Sequence, residues 1–165
     1  MDKRNRPALA YLLVGVASAG RAMLAMPDAV ALQEVSLTVL ALVGYLLLGC
    51  RALPVLACGT VQLVLELVLC GTLTGPAWLA PLLRAAALWL LWATVAQMVK
   101  IAGYTNGKNV IMPLAAAVPL AVYCVAHFFA GMATAASFAF IVFSITLLWY
   151  AVLLLRAYNT TRVKK

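Results

Sequence analysis

Six side chains in this 165-residue sequence could do chemistry in apolar surroundings: Arg21, Glu34, Gln62, Glu66, Arg84 and His127. The sharpest case is LELVLCGTL at residues 65–73. There Glu66 sits among Leu and Val, with no lysine or arginine within ten positions. A carboxylate so placed must pair with a cation, hold a proton, or face water, because an isolated charge in hydrocarbon costs at least about 2.5 kcal/mol. An arginine is the natural partner, since its guanidinium can give a carboxylate two parallel hydrogen bonds. Glu66 and His127 could also act as acid and base in a membrane-embedded enzyme. No G-x-S-x-G, S-x-x-K or H-E-x-x-H motif accompanies them, so an enzyme is the least favoured reading and no catalytic residue is assigned.

The elements that must position these groups follow from composition. Hydrophobic residues make up 67% of the chain and charged residues 10%. A soluble domain carries about 45–50% apolar and about 25% charged residues. Lipid is therefore the expected solvent. A helix needs about 20 apolar residues to cross roughly 30 Å of hydrocarbon. Six such stretches can be drawn, at residues 8–26, 30–50, 53–73, 79–99, 110–130 and 133–155. Pro27 and Asp28, CRALP, TGPAW, KIAGYTNGKN and GMA separate them, rich in helix stops and turn formers. The expected fold is all-α, a polytopic transmembrane bundle of six spans in three hairpins. It is one integral membrane domain over residues 1–165. Arg21, Gln33 and Glu34 weaken the first two spans, and four or five spans are the fallback.

Charge placement supports the even count. With the N-terminus inside and six spans, ten of the twelve basic residues fall on the cytoplasmic side: Lys3, Arg4, Arg6, Arg51, Lys100, Lys108, Arg156, Arg162, Lys164 and Lys165. Arg21 and Arg84 lie toward the outside. This is the positive-inside pattern. It predicts both termini in the cytoplasm of a bacterial inner (plasma) membrane, with anionic headgroups beside the basic loops. Bases scattered over short loops do not make a nucleic-acid surface. MDKRNR followed by an apolar run and Ala17-Ser18-Ala19 resembles a secretory signal, but the stretch is taken as an ordinary first span with small packing residues.

Hairpin geometry gives the acids partners. Reflecting Glu66 through residues 75–76 lands beside Arg84, and reflecting Arg21 through residues 27–28 lands on Glu34. The expected pairs are thus Glu66–Arg84 and Arg21–Glu34. Gln62 lies one turn before Glu66 on the same face, with Gly59 nearby. Arg21, Asp28, Glu34, Glu66, Arg84 and His127 all fall in the outer half of the membrane, whereas Gln97 is the main polar residue of the inner half. Two readings of this cluster stay open: structural ion pairs that set helix register, or an outward-facing cavity for an anion, a proton or a headgroup.

The remaining features carry less. Gly15 and Ala19, and Gly131 and Ala135, are small residues four apart, suited to close helix contact. Pro113 and Pro119 should kink the fifth span. Trp78 belongs at the outer interface, while Trp89 and Trp92 should pack on another helix or line a cavity. Cys50, Cys58, Cys70 and Cys124 lack metal-ligand spacing and are read as small hydrophobes. No metal or cofactor is expected. NTT at residues 159–161 fits a glycosylation pattern but lies in the basic tail, and GYTNGKN is a connector without phosphate-loop spacing. The leading functional expectation is a small membrane subunit or scaffold working by helix contacts with other membrane subunits in a transport or export assembly. The alternative is a small carrier or permease for a lipid or solute, with the outward-facing cluster as its site.

Overall fold

Long apolar stretches bounded by glycine and proline fold here into six α-helices. The computed structural model describes residues 6–24, 32–71, 78–103, 108–129 and 131–163. The helices are α1 (Arg6–Leu24), α2 (Leu32–Leu48), α3 (Leu53–Cys70), α4 (Leu79–Ile101), α5 (Lys108–His127) and α6 (Ala133–Val163). A short 3₁₀ turn, Gly49–Ala52, joins α2 to α3. Gly49, Gly103 and Gly131 follow α2, α4 and α5 with positive φ, a conformation glycine enters without penalty. Pro54 lies in the first turn of α3, where its missing N–H removes no bond. α5 is continuous through Pro113 and Pro119.

Among the described residues, four helices are long and apolar enough to cross a membrane: α1, α3, α4 and Ala133–Thr161 of α6. α2, with 17 residues, and the Ala115–His127 part of α5 are apolar but shorter. α6 outruns the expected span, continuing through the basic tail to Val163. Thr160 and Thr161 in those last turns donate back to the carbonyls of Arg156, Ala157 and Tyr158 at 2.9–3.1 Å.

Each helix packs on its neighbours in the chain, and α6 returns to pack on α1, closing a ring. Leu91 and Val95 of α4 join Leu120 and Tyr123 of α5 and Phe143 of α6 in one apolar cluster. Val14 of α1, Leu42 and Tyr45 of α2, Met98 of α4 and Leu154 of α6 form another. The outside is apolar too: Leu46, Val64, Phe138, Ile141 and Ile145 are all exposed. α3 states the pattern most clearly. Its buried stripe is Val55, Gly59, Gln62 and Glu66, while Val61, Val64, Leu67 and Val68 face out. A helix with its polar groups inside and its branched aliphatics outside suits hydrocarbon.

Close approach depends on particular glycines. A Cβ on Gly44 of α2 would stand 2.7 Å from Val14 Cγ2 and 3.1 Å from the Ala10 carbonyl of α1. Gly15 is a helix contact as expected, since a Cβ there would meet Leu155 of α6 at 3.3 Å. Gly131 is not. A Cβ on it would meet no described residue within 4 Å, and its φ is +99°; it serves the turn before α6 rather than a contact. Gly44→Val should therefore destabilise the α1–α2 contact by overpacking, about 1–3 kcal/mol. Gly131→Leu should act only through backbone strain of about 1–2 kcal/mol. Thermal unfolding in detergent checks both. A Gly44→Val protein as stable as the parent would show that α1 and α2 do not meet there.

Candidate functional site

The four buried charges lie at one end of the bundle, where α1 and α3 finish and α2 and α4 begin. Arg21 is in the last turn of α1 and Glu34 in the first turn of α2. Glu66 is one turn from the end of α3, and Arg84 is in the second turn of α4. None is more than 4% exposed. The level expected from chain geometry is therefore right, but the partners are exchanged. Arg21 Nη2 donates to both oxygens of Glu66, at 2.6 and 2.7 Å. Arg84 meets Glu34 through a two-pronged contact, Nη1 to Oε2 at 3.0 Å and Nη2 to Oε1 at 3.3 Å. The ion pairs are thus Arg21–Glu66 and Arg84–Glu34, not Glu66–Arg84 and Arg21–Glu34. Reflection through a turn gives height along the bundle. It says nothing of rotation about the helix axis, and rotation chose the partners.

Thr38 joins the two pairs. It lies one turn after Glu34 on α2, and its hydroxyl bonds the Glu34 carbonyl at 3.0 Å. It also contacts Arg21 Nη2 and Glu66 Oε2. Arg21 Nη2 reaches the same Glu34 carbonyl at 3.1 Å. Gln62 completes the shell of Glu66, its Nε2 donating to Oε1 at 2.9 Å. The role of Thr38 was missed from the sequence. Its spacing of four from Glu34 was the available signal.

Inward of Arg21 the polar character continues. A small cavity is lined by Ser18, Arg21, Thr38, Tyr45 and Gln62, with Ala17, Ala41 and Leu91 as its apolar walls. Thr94 of α4, buried, donates its hydroxyl to the Leu91 carbonyl at 2.8 Å. Tyr45, Ser18 and Thr94 carried no sequence signal beyond being polar among apolar neighbours.

His127 stands apart from this layer. It sits at the end of α5, its ring tilted 33° against Tyr123 with centroids 5.5 Å apart. α5 packs on α4 and α6, whereas Glu66 is on α3. Gln97 is exposed, and Asp28 lies outside the described residues. Trp89 and Trp92 meet edge to face at 5.5 Å and pack on the α4–α5–α6 cluster. Trp78 is 58% exposed, at the start of α4. Cys58 and Cys124 are free thiols. Among the described residues, no three His, Cys, Asp or Glu side chains gather where a metal could be held.

No protein-family model, curated protein or solved structure matches this chain. The chemistry of the layer therefore rests on its own geometry, which offers two neutralised ion pairs and a small polar cavity beside one of them.

The exchanged pairing has a measurable consequence. Removing one partner of a buried pair costs about 3–5 kcal/mol in soluble cores. Arg21→Gln and Glu66→Gln should each lower stability, and the double variant should recover part of the loss. The Arg84/Glu34 cycle should behave the same way. The Arg84/Glu66 cycle should couple less than either, because those two charges meet only through Thr38 and each other's partners. Strong coupling in that last cycle would restore the hairpin pairing.

Proposed function

We propose that the protein is a small multi-pass membrane subunit or scaffold. In this reading it works by helix contacts with partner subunits of a larger assembly for transport or export. The observation that carries it is the closure of the charged layer. All four charges are buried and matched within the bundle, and the adjoining cavity offers only about 10 Å³ to the centre of a water molecule. A solute pocket measures about 300–1,000 Å³. Charges held this way set which helices touch, and they leave the apolar exterior to meet lipid and other helices. Six spans in three hairpins, with both termini in the cytoplasm of a bacterial inner membrane, complete the proposal. The ring of antiparallel helices and the distribution of basic residues support it, and anionic headgroups would then meet Arg6, Lys100 and Arg156.

The carrier remains the second reading, favoured by one observation: a polar cavity adjoins the Arg21–Glu66 pair. Affinity purification in mild detergent separates the two. A subunit brings down a partner at fixed stoichiometry, and Glu66→Gln weakens that association. A protein that purifies alone, and whose Glu66→Gln variant stays folded but loses solute movement in vesicles, would be a carrier. Topology has its own check. Single cysteines placed at Lys3 and Lys164, in a background without other cysteines, should both be shielded from an impermeant thiol reagent in intact cells. Labelling of one alone would overturn the six-span arrangement.

A further inference from the structure

The cavity beneath Arg21 has a donor–acceptor pattern that selects its occupant. Among the described residues, every hydrogen bond of Arg21 runs through Nη2. Its Nε–H and both Nη1 hydrogens are left to other partners, although the side chain is only 3% exposed. Gln62 is 2% exposed, and its one side-chain bond among the described residues is from Nε2 to Glu66. A carboxylate only accepts, so the amide must turn its NH₂ to Glu66 and its oxygen elsewhere. Both Arg21 and Gln62 line the cavity, together with Tyr45 and Ser18. The Ser18 hydroxyl donates to the Val14 carbonyl at 2.8 Å, which leaves its lone pairs able to accept. Buried polar groups in folded proteins find partners, so these call for one.

We propose that the cavity is a binding site for a single internal water molecule, held between the Arg21 guanidinium, the Gln62 carboxamide oxygen and the Tyr45 hydroxyl. Size and charge both select water. The cavity gives about 10 Å³ to a water centre, about one molecule's requirement, and a buried water needs two to four polar partners. A halide could accept from Arg21 but could not donate to the Gln62 oxygen, and Glu66 stands beside it. A metal cation would face the Arg21 charge. Water alone can accept from Arg21 and donate to Gln62 together. It joins the Arg21–Glu66 pair to the Tyr45 hydroxyl, so one hydrogen-bonded chain runs from the charged layer into the bundle. The site does not depend on the subunit reading, because a carrier would hold the same water.

A crystal structure of the full chain in a lipid phase, fine enough to show ordered water, tests this. The expected result is one density peak in hydrogen-bond reach, about 2.7–3.2 Å, of the Gln62 oxygen and of Arg21 or Tyr45. A cavity closed by side-chain collapse, or a Gln62 oxygen bonded to a protein atom, overturns it. A second arm uses melting temperature. Ala41→Val fills the cavity with methyl groups and should lower the melting temperature by displacing the water. The drop should shrink in a Gln62→Met background, where the water has lost its acceptor. An equal drop in both backgrounds would mean that crowding alone is responsible, and would overturn the proposal.

Discussion

Two arginines and two glutamates lie at one level of a largely apolar bundle, and each must meet its opposite there. Taking a charge out of water is expensive, and attraction offsets that only when geometry and hydrogen bonding are good. Satisfying two pairs at once fixes the relative height and rotation of α1, α2, α3 and α4. The choice of partners matters for how the bundle holds. Pairs between consecutive helices would tie only neighbours in the chain. The pairs seen instead join α1 to α3 and α2 to α4, clasping α1 and α2 to α3 and α4. Thr38 sits where the two clasps pass each other, touching Glu34, Arg21 and Glu66.

The last two helices are held differently. α5 and α6 meet through aromatic and aliphatic packing, with Tyr123 against Phe140 at 5.4 Å and Phe143 and Leu147 buried between them. Hydrocarbon gives little hydrophobic drive for such contacts, so shape complementarity and small residues decide them. The ring then closes through α6 on α1, where Gly15 admits Leu155. One part of the bundle is thus fastened by charge and the other by fit. A polar cavity lies in the first part, beside Arg21, Thr38 and Gln62.

Much of this was legible in the residues alone. Apolar runs broken by Gly, Pro and Asn placed the six helices to within a few residues at most ends. α6 is the exception, because its polar tail continues the helix where composition alone argues for a stop. That Glu66 needs a partner, and that Arg21, Glu34 and Arg84 share its level, followed from a rise of 1.5 Å per residue and short connections. The packing of the half-buried Trp89 and Trp92 against the α4–α5–α6 cluster is one of the two outcomes that their spacing of three allowed.

Tertiary structure decided what spacing leaves open. Counting residues gives height along a helix, whereas the direction in which a side chain points depends on which stripe packing turns inward. Glu66 therefore met Arg21 rather than Arg84, and Thr38 emerged as a partner without any motif. Glycine shows the same division. A glycine in a sequence can permit close approach or a left-handed turn, and the two cannot be told apart by spacing. Gly44 proved to be a contact and Gly131 a turn, because only the packed neighbours and the backbone φ distinguish a residue that needs no room for Cβ from one that needs positive φ. The sequence by itself determined that charges had to be matched inside an apolar bundle; the fold determined which charge met which.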